Sequence, residues 1–134
     1  MKKTLAYYST VLYKEFLSYT QKELYKINLN YGALPFVLYI GKHPQCSPSE
    51  LTAALRADWG HSQRSITKLE KEGFILRERS REGSRNYHLS LTEKGEQAFG
   101  ISHQVFQVWD EKKLDVLEPE EKEELFRILS KLTN

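Results

Sequence analysis

The stretch Trp59-Gly60-His61-Ser62-Gln63-Arg64-Ser65-Ile66-Thr67-Lys68 carries side chains suited to hydrogen bonding rather than to bond making. Wound as a helix, it turns Ser62, Ile66 and Leu69 inward and leaves His61, Gln63, Arg64 and Lys68 outward. Arg64 can donate a fork of N–H groups to guanine, Gln63 can pair with the donor and acceptor of adenine, and His61 can meet a base acceptor or a phosphate. Gly60, having no side chain, lets its backbone come close to a partner. Lys68 lies further along, where a phosphate is the better partner. A second basic group follows, with Arg79, Arg81 and Arg85 around a polar tip that contains Gly83 and Ser84. An arginine of this kind gains from the focused negative potential of a narrow, A·T-rich minor groove. Arg79 has a competing role as a surface ion-pair partner of Glu78 or Glu82. Ser47 and Ser49 can touch phosphates through a hydroxyl or a backbone N–H, with helix capping the stronger role for Ser47.

Other chemistries find less support. Cys46 is the only cysteine, so no internal disulfide forms. It precedes a helix start, where the helix end favours a thiolate, and a redox-responsive regulator using Cys46 is the alternative this suggests. His43, His61, His88 and His103 lack tight metal-ligand spacing. There is no Gly-x-Ser-x-Gly elbow, no phosphate-binding glycine loop and no Cys–His signature, so no enzyme, metal or cofactor is expected.

The elements that must position these groups can be read along the chain. From about Thr4 to Leu29 the apolar residues Leu5, Tyr8, Leu12, Phe16, Tyr19, Leu24 and Ile27 stripe one helix of about 25 residues. Tyr31-Gly32 interrupts it, and a more buried helix runs through Phe36, Val37, Leu38 and Ile40 until His43-Pro44. Ser47-Pro48-Ser49-Glu50 then reads as a helix start with a cap, a first-turn proline and a capping-box glutamate. After a tight Arg56-Ala57 turn, Asp58 can cap the helix that runs to Glu72, and Gly73 supplies its left-handed ending with Phe74 as the accompanying contact. Two short helices joined by such a turn make a helix-turn-helix. Phe74 to Arg79 and Arg85 to Leu91 read as the arms of a β-hairpin, with Tyr87, Leu89 and Leu91 on one face. Thr92 caps a helix of about twenty residues holding Phe99, Val105, Phe106, Val108 and Trp109, and Pro119 opens a last helix striped by Leu125, Ile128, Leu129 and Leu132.

The fold class expected is therefore mainly α with a small β-hairpin wing. It is a winged helix-turn-helix, centred on residues 46–95, plus N- and C-terminal dimerisation helices. One domain spans 1–134, with the DNA-binding part over 33–95 and a helical dimerisation part over 1–31 and 96–134. The net charge of +2 says little, but its distribution says more. From His61 to His88 seven Lys/Arg face four Glu, whereas from Asp110 to the end five Lys/Arg face eight Asp/Glu. One face is built to meet a polyanion and another is not. No run approaches a membrane span or a signal peptide, so a cytoplasmic protein is expected.

The strings Ser47-Pro48-Ser49-Glu50-Leu51, Lys68-Leu69-Glu70-Lys71-Glu72-Gly73-Phe74-Ile75 and Leu89-Ser90-Leu91-Thr92-Glu93-Lys94-Gly95, in this order of elements, resemble the multiple-antibiotic-resistance-regulator (MarR) family over nearly the whole chain. The resemblance implies a homodimer built from the first and last helices, a palindromic double-stranded DNA operator, and often release by a small aromatic or anionic ligand. It also makes Arg85 the residue that orients the wing, with Arg81 nearer the tip. Family members usually carry Asp, one residue, then Arg in the wing; here Gly83 stands at the Asp position. The helix-turn-helix turn commonly holds Gly and here holds Arg56. Seven of the eight tyrosines fall in the first 39 residues, and Tyr8, Tyr19, Tyr31 and Tyr39 either line a pocket for a planar ligand or pack the dimer helices. A winged-helix module for protein–protein contact is the other functional class, and the basic wing and polar helix argue against it.

Overall fold

The computed structural model describes residues 2–80 and 87–134. Helix α1 (Leu5–Tyr25) starts where Thr4 Oγ1 accepts the Tyr7 N–H at 3.1 Å. It stops short of the expected Leu29 because Asn28 takes φ 59°, a conformation asparagine tolerates, and the chain folds back with Leu29 N–H on the Leu24 carbonyl at 3.1 Å. Asn30 Oδ1 then caps a 3₁₀ turn, Tyr31–Ala33, by accepting the Ala33 N–H at 2.8 Å. Helix α2 (Leu34–Lys42) buries Leu34, Phe36, Val37 and Ile40 and ends at His43, ahead of Pro44.

Helix α3 (Pro48–Ala54) is capped by Ser47, whose Oγ accepts the Glu50 N–H at 3.1 Å. Helix α4 (Trp59–Lys71) is capped by Asp58, whose Oδ2 accepts the His61 N–H at 3.0 Å. The turn between them places Arg56 at φ 52°, the left-handed geometry that glycine adopts more readily than arginine. A buried hydroxyl pair fixes the two helices against each other. Thr52 Oγ1 gives its proton to the Pro48 carbonyl at 2.7 Å, so Ser62 Oγ donates to Thr52 Oγ1 across 2.6 Å. Ser62, Ile66 and Leu69 form the buried stripe of α4, as their spacing suggests. At its end Gly73 has φ 86°, with Gly73 N–H on the Glu70 carbonyl and Phe74 N–H on the Leu69 carbonyl. That is the paired bonding of a Schellman motif.

Strands β1 (Ile75–Arg79) and β2 (Tyr87–Leu91) pair antiparallel, with Ile75 opposite Leu91, Arg77 opposite Leu89 and Arg79 opposite Tyr87. The outer edge of β2 is partly covered, because Gln45 N–H bonds the Leu89 carbonyl and Leu89 N–H bonds the Cys46 carbonyl. Helix α5 (Glu93–Leu114) follows, its cap Thr92 accepting the Gly95 N–H and donating to the Gly73 carbonyl. Gly95 has to be glycine: a Cβ there would stand 2.0 Å from the Phe74 carbonyl oxygen. Helix α6 (Pro119–Thr133) closes the chain.

The core joins the end of α1 to α2, α3, α4, the hairpin and the start of α5, through Leu24, Val37, Leu51, Ile66, Phe74 and Leu89 among others. Phe16 ties α1 to α5 by packing on Phe106 and Trp109, with ring centroids 5.5 and 5.3 Å away, and Glu15 pairs with Lys113. The ends of the chain differ. Leu5, Tyr8 and Leu12 of α1 and Phe126, Ile128, Leu129 and Leu132 of α6 are exposed, and α6 contains no buried residue at all.

Candidate nucleic-acid interface

Helix α4 is held from behind by its apolar stripe and the Thr52–Ser62 link, so its remaining faces have fixed directions. Gly60, Arg64, Thr67 and Lys71 recur at intervals of four, three and four, which aligns them on the side opposite Ser62, Ile66 and Leu69. Arg64, Thr67 and Lys71 are exposed there. The Arg64 side chain runs back toward the start of the helix: its Nη1 lies 3.2 Å from the point a Cβ on Gly60 would occupy. Gly60 and Arg64 thus share the leading end of α4. Thr67 and Lys71 were not among the residues singled out from sequence, although the same interval points to both.

The two flanks of α4 differ. His61 and Lys68 are exposed on one flank and, with Arg64, Asn30, Ser65 and Glu72, line a cavity of about 240 Å³ between α4 and the 3₁₀ turn. The His61 ring meets Phe36 edge-on, with centroids 6.0 Å apart. Gln63 lies on the other flank with Thr67 and Glu70, toward the hairpin, and is half-buried with its Nε2 enclosed and unbonded. Arg64 is therefore more open to a partner than Gln63. Trp59, the first residue of α4, stands 53% exposed at the same end.

In the hairpin, Arg79 is exposed and its Nε donates to Tyr87 Oη at 3.4 Å, which holds the guanidinium pKa above its ordinary value. Its partner among the described residues is Tyr87; strand alternation turns Glu78 to the opposite face, and Glu82 lies outside the described residues. Arg81, Ser84 and Arg85 lie outside the described residues. At the start of α3, Ser47 is half-buried as the cap, and Ser49 is exposed in the first turn.

Comparison with known proteins identifies the arrangement. The HTH-type transcriptional regulator BilQ of Clostridium symbiosum is 46% identical over 132 residues, covering 98% of this chain and 92% of the relative. FabT of Streptococcus pneumoniae, solved in complex with DNA, superposes with a TM-score of 0.83 at 27% identity, over 93% of this chain and 90% of that one. The reduced form of MarR from E. coli superposes with a TM-score of 0.84 over 100% and 99% of the two chains, and at 19% identity it attests the fold alone. The chain belongs to the MarR family. No protein-family model matches it. Members of the MarR family are transcriptional regulators rather than enzymes.

Two alternatives that the sequence of this MarR-family chain left open meet their surroundings in the structure. Cys46 does not offer a thiolate: it is 3% exposed beneath β2, and burial, followed by the charge of Glu50, pushes its thiol up to about 11. Desolvation outweighs the favourable helix end, and the redox role for Cys46 loses its basis. The four tyrosines, read as lining a pocket or packing the dimer helices, have separate surroundings within one chain. Tyr8 meets Tyr7 edge-on, Tyr19 lies under Lys112, Tyr31 packs on Phe16, and Tyr39 stacks on His43 at 4.3 Å.

Proposed function

We propose that the chain regulates transcription by binding double-stranded DNA as a homodimer, with α4 in the major groove and the hairpin over the adjacent minor groove. The observation that carries this reading is the outward line of α4, where Gly60, Arg64, Thr67 and Lys71 stand on a helix anchored behind by buried residues. Arg64 at the leading end is the base reader, with His61 and Gln63 beside it, while Lys68 and Lys71 meet phosphates further along. Ser47 and Ser49 at the start of α3, Arg79 in β1, and Arg81, Ser84 and Arg85 at the tip complete the contact set. FabT, solved with DNA, supports the partner.

The dimer is supported by the exposed apolar faces of α1 and α6, which have nothing to bury them within one chain. Two-fold symmetry places the two α4 helices about 34 Å apart, one turn of DNA, and so calls for a palindromic operator. The regulator acts as a cytoplasmic repressor. A small aromatic or anionic effector entering the cavity on the flank of α4 would engage Arg64 and Lys68, the side chains DNA needs, and so release the operator.

The test is Arg64→Ala, titrated on the chain's own upstream DNA and on random duplex. The variant loses about 1–3 kcal/mol on the specific site and far less on random DNA. Equal loss on both would show that Arg64 holds a phosphate and reads no base.

A further inference from the structure

We infer that Arg77 is a positioning residue of the DNA-binding surface, tying the hairpin to the recognition helix and fixing the spacing of the two elements that meet DNA. The inference rests on the DNA-binding reading above. Arg77 lies mid-way along β1, opposite Leu89, on the face it shares with Arg79 and Tyr87. Its Nη2 crosses to α4 and donates to Thr67 Oγ1 at 3.1 Å and to Glu70 Oε1 at 3.3 Å. Its guanidinium also lies 5.8 Å from the Tyr87 ring centroid, and that of Arg79 lies 5.7 Å from the same centroid. Arg79 adds the bond to Tyr87 Oη. A continuous set of contacts therefore runs from the outward line of α4, through Arg77 and Tyr87, to the far end of β1.

Packing alone does not explain an arginine here. The side chain is 18% exposed, and its Nε is enclosed without a hydrogen-bond partner, which opposes burial. An apolar residue would fill the space without an orphaned donor. What the arginine supplies is one terminal nitrogen whose two N–H groups reach two residues of α4 one turn apart while the planar guanidinium lies against an aromatic ring, a combination lysine cannot copy. It also neutralises Glu70, a carboxylate on a helix meant to approach phosphates. A hairpin held this way meets DNA already oriented. One that is not must be ordered at the moment of binding, and affinity falls without the loss of any DNA contact.

Arg77→Met, Arg77→Lys, Thr67→Val and the Arg77→Met/Thr67→Val double variant separate this role from a direct DNA contact. Each is titrated by anisotropy on the upstream duplex over a range of salt. Arg77→Met is expected to weaken binding roughly three- to ten-fold, the scale of ordering a few side chains on binding. Its salt dependence stays parallel to wild type, the double variant is no weaker than Arg77→Met, and Arg77→Lys fails to rescue. Hydrogen exchange on the free protein should rise in β1 and β2 while α2 and α5 stay protected, which shows the fold intact. Rescue by lysine, multiplying effects in the double variant, or a salt slope reduced by about one would make Arg77 a phosphate contact and overturn the inference. Failure of the wild-type protein to bind any duplex would instead remove the DNA reading, and this inference with it.

Discussion

Replacing Gly60 with alanine adds one methyl group at the second residue of α4, and the structure sets opposite signs for its effects on folding and on binding. Glycine in a helix is less favourable than alanine by about 0.8–1.0 kcal/mol. The new Cβ would stand 3.2 Å from Arg64 Nη1 and 3.2 Å from Asp58 Oδ2, close enough that both must yield slightly. Arg64 is exposed and swings away without loss. Asp58 is more confined, because Oδ2 holds the His61 N–H, and a small displacement weakens that cap by a few tenths of a kcal/mol. The balance is a stabilisation of about 0.5 kcal/mol, seen as a rise of about 2 °C in Tm. DNA binding moves the other way. The methyl occupies the space between the backbone and the Arg64 guanidinium at the end of α4 proposed to approach the bases, and affinity falls about tenfold, or 1.4 kcal/mol. Thermal unfolding followed by circular dichroism gives the first quantity, and anisotropy with a labelled upstream duplex gives the second. A more stable variant that binds DNA unchanged would refute the close approach at Gly60. A less stable one would refute the argument that Asp58 and Arg64 can yield.

Arg56→Gly relieves a left-handed backbone and should stabilise the protein by about 0.5–1 kcal/mol, read as a higher urea midpoint at unchanged slope; a lower midpoint would contradict it. The Cys46 thiol, at about 11 in the fold against 9.0 in an open chain, keeps its proton more tightly when folded. Its contribution to stability is complete below pH 9 and lost as pH rises toward about 11, and iodoacetamide should react slowly with the native protein at pH 7 and quickly once it is unfolded. Rapid native alkylation would contradict that burial. Leu129→Glu puts a charge on a face that is bare in one chain, where it should shift stability by no more than about 0.5 kcal/mol in a monomer. In the proposed dimer it buries the charge, so sedimentation should show dissociation to monomers, and an unchanged dimer would place the interface elsewhere.

The parts of the fold that were legible in the sequence are those set by neighbours along the chain. Ser47, Asp58 and Thr92 each accept the N–H three residues on, and Gly73 ends α4 as its position suggests. The stripe Ser62, Ile66, Leu69 fixes which side of α4 is free, so the outward placement of Gly60 and Arg64 follows from the sequence. Residues governed by distant chain segments were not. Cys46 reads as an activated thiol beside a helix start, and only the pairing of Gln45 and Cys46 with Leu89, some forty residues away, buries it. Arg77 reads as one more basic residue of a hairpin, because its partners Thr67 and Glu70 become neighbours only when the chain reverses at Gly73. Gln63 reads as outward by polarity, yet its amide nitrogen is enclosed in the fold.

The central claim, that the cationic line of α4 and the basic hairpin grip DNA, is met most directly by titrating the wild-type protein against its own upstream duplex from about 50 to 200 mM salt. Several phosphate contacts per dimer release several counterions, so the affinity should fall by about a thousand-fold or more along a straight line in log salt. Random duplex should bind more weakly throughout with a similar slope. Affinity that does not respond to salt, or no binding at the lowest salt, would contradict the account.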